Sequence, residues 1–274
     1  MTLRLGWFST ARGSGSRGML TEVLSAIDNG DLDARIEFVF SNRERGEGDG
    51  SDAYFDLVES RGIPLVTHSS RAFREAHGGD FGSNRAAYDE EARQLLSPYQ
   101  PDFSVLAGYM LIWSPVLCQA FTAINLHPAL PDGPIGMWQE VVWQLIDDWS
   151  LESGASVFLV TEELDRGPSI AYTRFPMRGW RFDDLWMRLD SRTSTDIKAA
   201  EGEDHPLFKA LRHEEMQREP HLLLETLKVL ARGDISVEGH TVVDANGASA
   251  APLDLTKQVE ALLGSSDMPP VKPR

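Results

Sequence analysis

Strand and helix signals alternate through the first half of the chain, and no other feature narrows the fold so far. Leu3–Phe8 is a short apolar run with strand character. The glycine- and serine-rich loop 11–18, ARGSGSRG, separates it from a helical segment, Met19–Ile27, that stops at Asn29-Gly30. The strand signal returns at Ile36–Phe40, Ile63–Val66, Phe103–Ala107 and Ala123–Leu126. Helical patterns at Ala53–Glu59, Asn84–Leu96 and Pro115–Phe121 lie between these runs. Pro115 stands at a first helical position, where a missing N–H costs nothing. This order specifies βαβ units, hence an α/β, Rossmann-like fold with a mostly parallel twisted sheet and helices on both faces. Sheets of this kind bind ligands outside the carboxyl ends of their strands.

The second half is less regular. Met137–Ile146 is helical and carries Trp138 and Trp143. Ala155–Thr161 and Ser169–Phe175 are strands on either side of a turn, EELDRGP at 162–168. Residues 177–206, rich in Trp, Arg and Asp, read as an insertion with a helix near Phe182–Leu189. Leu207–Gln217 and His221–Ala231 are expected as two helices broken by Pro220, and Ile235–Val243 as a hairpin around EGH. The expectation is a single domain over 1–246 interrupted at 177–206, then a partly mobile tail at 247–274 rich in Ala, Ser and Pro. The 274 residues, 42% of them hydrophobic, supply a core of that size.

Charge narrows what such a sheet can bind. The formal net charge is −16, which repels phosphate backbones and anionic membranes, so neither is an expected partner. The only cysteine is Cys118, which leaves no disulfide framework and no Cys-based zinc site, and no metal is expected. The start, MTLRLGWFST, lacks the apolar core of a signal peptide, and no apolar run reaches the ~18 residues of a membrane span. The expectation is a cytoplasmic monomer or homodimer acting on small molecules.

Three places on the expected strand ends carry chemistry. The loop GSGSRG at 13–18 opens a helix, where backbone N–H groups with no Cβ in the way form an anion site, and Arg12 and Arg17 add positive charge. A plain tight βα turn has the same composition. Asn125 and His127 end the fifth strand two residues apart and therefore share a face. A histidine beside a proline turn also serves as a structural hydrogen-bonder. Asp165 follows one strand and precedes another, where an Asx turn before Gly167-Pro168 is the alternative. An amide, an imidazole and a carboxylate on one rim suit acyl transfer without a covalent enzyme intermediate. Two of them donate to a developing oxyanion and the third handles a proton. No G-x-S-x-G elbow occurs, and Cys118 lies inside an apolar helix.

Three stretches together, PDFSVLAGYMLIWSP (101–115), INLHPALP (124–131) and GASVFLVTEELDRGP (154–168), resemble the folate-dependent formyltransferases, most of all those that formylate phosphoribosylglycinamide in purine synthesis. The resemblance covers about residues 1–176 and resumes at 207–235. It implies a formyltransferase-type fold and an enzyme that takes its formyl group from 10-formyltetrahydrofolate. Asn125, His127 and Asp165, in the N-x-H-P and E-L-D-x-G-P motifs, are implied as the catalytic trio. Gly13, Gly15, Ser16 and Arg17 are implied to hold the acceptor's phosphate. Met110, Leu111, Ile112 and Trp113, with Val160 and Glu163 of the 159–165 loop, are implied to hold the pterin. RHEEMQREP, counted back from Pro220, implies Glu215 at the acceptor's ribose and Arg212 on its phosphate side.

Departures from the family pattern cluster around the substrate pockets. The glycine loop ends Ser16-Arg17 rather than Ser-Asn, and Leu111 stands where an arginine commonly follows the methionine. HPALPDGPIGMWQE is one residue short, with Met137 and Trp138 in place of a later histidine. These changes leave glycinamide ribonucleotide as the first expected acceptor and an amino sugar as the second. A non-catalytic protein that binds a phosphorylated ligand is the reading from outside the enzymes.

Overall fold

The computed structural model describes residues 2–179, 181–189 and 192–265. In chain order these residues form β1 (Leu3–Ser9), α1 (Ser14–Asp28), β2 (Ala34–Ser41), α2 (Asp49–Ser60), β3 (Leu65–Thr67), α3 (Ser70–Ala76), α4 (Phe81–Leu95), β4 (Phe103–Leu106), α5 (Pro115–Ala120), β5 (Ala123–His127), α6 (Trp138–Asp147), β6 (Glu152–Leu159), β7 (Ser169–Pro176), α7 (Asp183–Met187), α8 (Ser194–Ala200), α9 (Pro206–Arg232), β8 (Ile235–Glu238), β9 (Thr241–Asp244), β10 (Leu253–Asp254) and α10 (Thr256–Ser265). The order is that of an α/β protein. No helix among the described residues is long and apolar enough to cross a membrane.

The chain forms two compact units. The first holds the chain up to Leu126, Phe158–Pro168 and Leu227–Ala250. Its strands β3-β2-β1-β4-β5 run parallel, each hydrogen-bonded to the next. The antiparallel pair β8-β9 belongs to the same unit. Beneath the strand ends lies an aromatic core: Phe8, Phe38, Phe40, Tyr109 and Trp113 with Leu96, Leu106 and Leu117. Phe8 is its centre, with Trp113 edge-on at 4.9 Å and Phe40 at 5.2 Å between ring centroids.

The second unit holds His127–Val157, Ser169–Thr226 and the described chain from Ala251. Val141, Val142, Trp143 and Ile146 of α6 pack there with Leu207, Phe208 and Leu211 of α9. Met177, Phe182, Trp186, Leu189 and Ile197 join that core, so the stretch expected as an insertion supplies much of its apolar mass. The stretch expected as a tail is also structured in part: β10 pairs in parallel with β7, Leu253 opposite Ala171, and α10 follows. The final residues, expected mobile, lie outside the described residues.

Several boundaries differ from the sequence expectation. α1 starts at Ser14 rather than Met19. Its glycines fall in the first turns, and buried Ser16, Met19 and Leu20 offset their entropic cost. α3 and α8 are additional helices, each nucleated by a cap. Ser69 accepts from the Ala72 N–H at 3.0 Å, and Thr193 and Asp196 form a reciprocal capping box. The two helices expected around Pro220 are one helix of 27 residues. Pro220 removes one hydrogen bond, at a cost of about 3 kcal/mol. Leucines bury on both sides of it, Leu207 and Leu211 before and Leu222, Leu223 and Leu227 after, and each contributes ~1.5–3 kcal/mol.

Candidate active site

The ends of three parallel strands stand level in the first unit. Phe8 of β1 pairs with Leu106 of β4, and Leu106 pairs with Asn125 of β5. The chain therefore leaves β1 into the glycine loop and β4 into the 107–113 segment at the same end of the sheet as half-buried Asn125. The segment 158–168 runs along β5 as well, its Val160 N–H donating to the Ala123 carbonyl at 2.8 Å.

The glycine loop ends in a helix start without a side-chain cap. Gly13 is the N-cap residue in extended conformation, and α1 has no acidic residue in its first turn. The first N–H groups of this 15-residue helix, added to its macrodipole, favour an anion. Exposed Arg12 and Arg17 flank it. Ser16 is buried and spends its hydroxyl internally, donating to the Gly13 carbonyl at 3.0 Å.

The 108–113 segment turns on Gly108, whose φ of +68° favours glycine and where a Cβ would stand 3.1 Å from the Ser16 Cβ. Met110 and Ile112 face outward, 49% and 40% exposed, while Trp113 is buried. Leu111, Trp113 and Val160 share one apolar cluster, so both stretches implied to hold a pterin meet there. The Ser114 N–H donates to buried Asp89 at 2.6 Å, and Ser114 in turn caps α5. Burial raises the Asp89 carboxyl above its ordinary range. Burial likewise pushes the Cys118 thiol up to about 11, away from nucleophile chemistry.

Asp165 lies on the turn after β6, half-buried, with φ +51°. Exposed Glu163 shapes the turn through its carbonyl, which accepts from the Thr161 hydroxyl at 3.2 Å and the Arg166 N–H at 3.3 Å. Gly167 closes the turn: a Cβ there would stand 1.7 Å from the Leu159 carbonyl oxygen, so no other residue fits. Leu164, 47% exposed, adds an apolar side chain on this loop.

His127, the last residue of β5, belongs to the second unit and is buried. Its Nε2–H donates to the Pro134 carbonyl at 2.8 Å, which orients the ring. The shortened loop makes that bond by folding back, with Asp132 at φ +64° and the Gly133 N–H on the Leu130 carbonyl at 2.9 Å.

Arg212 and Glu215 are one turn apart on α9 and bond to each other, Arg212 Nη1 to Glu215 Oε2 at 3.3 Å. Arg212 also donates to Glu219 at 2.5 Å and stacks on Trp138, 4.8 Å from the ring centroid. The Ser153 hydroxyl donates to Glu215 at 3.3 Å. Glu215 is fully buried, and desolvation outweighs the neighbouring guanidinium to push its carboxyl up to about 8. Ser153, Glu219 and Trp138 were not expected at this cluster. Glu219 had a legible signal, the i+4 and i+7 spacing from Glu215 and Arg212, which an expected break at Pro220 hides. Ser153 is 62 residues away from Glu215 and had none.

Comparison with known proteins places these features. The formyl transferase family model matches residues 11–179. The chain is 30% identical over 184 residues to phosphoribosylglycinamide formyltransferase of Escherichia coli K12, covering 65% of this chain and 78% of that enzyme. It is 29% identical over 155 residues to formyltetrahydrofolate deformylase of Escherichia coli O6:H1, covering 55% of this chain and 48% of that enzyme. Among solved structures, glycinamide ribonucleotide transformylase 1 of Symbiobacterium toebii shares the fold, with a TM-score of 0.62 over 88% of this chain and 93% of that one, at 23% identity. The matched residues include the glycine loop, the 110–113 segment, Asn125, His127 and Asp165. The chain belongs to the formyl transferase family.

Proposed function

We propose that this enzyme transfers the formyl group of 10-formyltetrahydrofolate to the amine of a phosphorylated acceptor, glycinamide ribonucleotide first among the candidates. The carrying observation is an amide near the end of β5, in register with Leu106 of β4 and Phe8 of β1, the strand that runs on into the open start of α1. The glycine loop suits the acceptor's phosphate. For the pterin, the exposed apolar side chains of Met110, Ile112 and Leu164 beside the Leu111–Trp113–Val160 cluster offer a surface of the right character.

The folate supplies an activated formyl group. The acceptor nitrogen attacks the formyl carbon, and Asn125 and His127 donate to the formyl oxygen as negative charge develops there. Asp165 takes the proton that the amine sheds and returns it to the folate nitrogen as its bond to the formyl carbon breaks. Glu215, held neutral near pH 7, and Arg212, neutralised by Glu219, bring no net charge to the acceptor, which leaves the glycine loop to bind its phosphate. The enzyme acts on small molecules in the cytoplasm, as a monomer or homodimer.

A formyl-transfer assay across a panel of amines tests this proposal. Saturable formylation of glycinamide ribonucleotide supports it, and transfer only to uncharged amino sugars contradicts the phosphate assignment. The likeness to a deformylase supports a second reading, hydrolysis of the formyl donor, which predicts turnover with no amine added.

A further inference from the structure

Thr10 stands between the two substrate segments and touches both. It follows the last residue of β1 and is 4% exposed. Its N–H donates to the Gly108 carbonyl at 3.1 Å, and its Oγ1 accepts the Met110 N–H at 2.8 Å. The next residue starts the glycine loop, and Ser16, in the first turn of α1, lies so near Gly108 that a Cβ on the glycine would stand 3.1 Å from the serine's own. The far end of the 108–114 segment is fixed separately, by Asp89 on the Ser114 N–H. At the near end the Ala107 N–H donates to the Phe8 carbonyl at 2.9 Å and the Ala11 N–H to the Ser9 hydroxyl at 3.0 Å, and Thr10 is the residue that bonds the 108–110 backbone from the strand leading into the glycine loop.

We propose that Thr10 is a positioning residue that couples the anion-binding loop to the folate-binding segment, so that an anion at residues 13–17 tightens folate binding and folate tightens anion binding. This rests on the functional reading above. A ligand on the loop fixes the backbone on one side of Thr10. Through the hydroxyl and the Gly108 contact, Met110 and Ile112 are then ordered before the folate arrives, and the second ligand meets a smaller ordering cost. Linkage makes the factor equal in both directions.

The test measures tetrahydrofolate binding by calorimetry with and without saturating inorganic phosphate, in the wild type and in T10V, T10A and T10S. In the wild type, phosphate is expected to lower the tetrahydrofolate Kd by about fivefold or more, with the reciprocal effect on phosphate. T10V and T10A should bring the factor to about one, whatever they do to each ligand's separate Kd, and T10S should restore it. Two deletions of different size keep the test available if one variant fails to melt cooperatively. A wild type that binds both probes independently, or a T10V that keeps the wild-type factor, overturns the role of Thr10 alone. A wild type that binds neither probe overturns the functional reading itself.

Discussion

Asp165 holds a left-handed backbone conformation that costs most side chains energy but that aspartate and asparagine tolerate. Asp165→Asn therefore keeps the turn and removes only the carboxylate's ability to take a proton. The variant should fold as the wild type, bind folate with similar affinity and lose about 10²–10⁴ in kcat. Retention of more than about a tenth of kcat would remove Asp165 from proton transfer. Glu215 is testable through stability. Its folded carboxyl titrates near 8, above its ordinary value of 4.5, so the folded state holds a proton that the unfolded chain releases. Stability should then fall as pH rises from about 4.5 to about 8, by at most ~5 kcal/mol, and Glu215→Gln should flatten that slope. Equal slopes for the two proteins in urea titrations at pH 5, 7 and 9 would contradict it. The resemblance of RHEEMQREP to the family's substrate helix implied Arg212 and Glu215, yet their partners Ser153 and Trp138 come from other elements. Only the fold brings those residues to α9.

Among the elements, α1 and α9 carry separate expectations. If the start of α1 binds the acceptor's phosphate, Arg17 makes the same contact in ground and transition states. Arg17→Ala should raise the acceptor's KM about tenfold and change kcat little. An unchanged KM would point to an acceptor without phosphate. In α9, Pro220 lies within one continuous helix. Pro220→Ala restores a helical N–H and should raise stability by ~1–3 kcal/mol, read as a higher Tm. A lower Tm would mean that the surrounding packing requires the proline. Apolar runs and their stops made the parallel strands of the first unit legible, because buried strands read directly as such runs. The misplaced starts of α1 and α9's continuity share a cause. Glycine and proline weigh heavily in local propensity, while the burial that offsets them is tertiary.

For the whole molecule, motifs spaced along the chain identified the family more firmly than composition did. The charge of −16 argues against phosphate backbones and anionic membranes as partners, but it says nothing about which small molecule is bound. The departures at 132–138 are where the chain's own character enters, since that loop holds the His127 ring through Pro134. The central claim is that the formyl group passes to an amine rather than to water. It is tested most directly by following tetrahydrofolate release from 10-formyltetrahydrofolate with purified enzyme while glycinamide ribonucleotide is varied from zero. Release that is negligible without the amine, saturates as the amine is added, and matches formylated product one for one is the predicted result. Release at the same rate with no amine present would contradict the claim and make the protein a hydrolase.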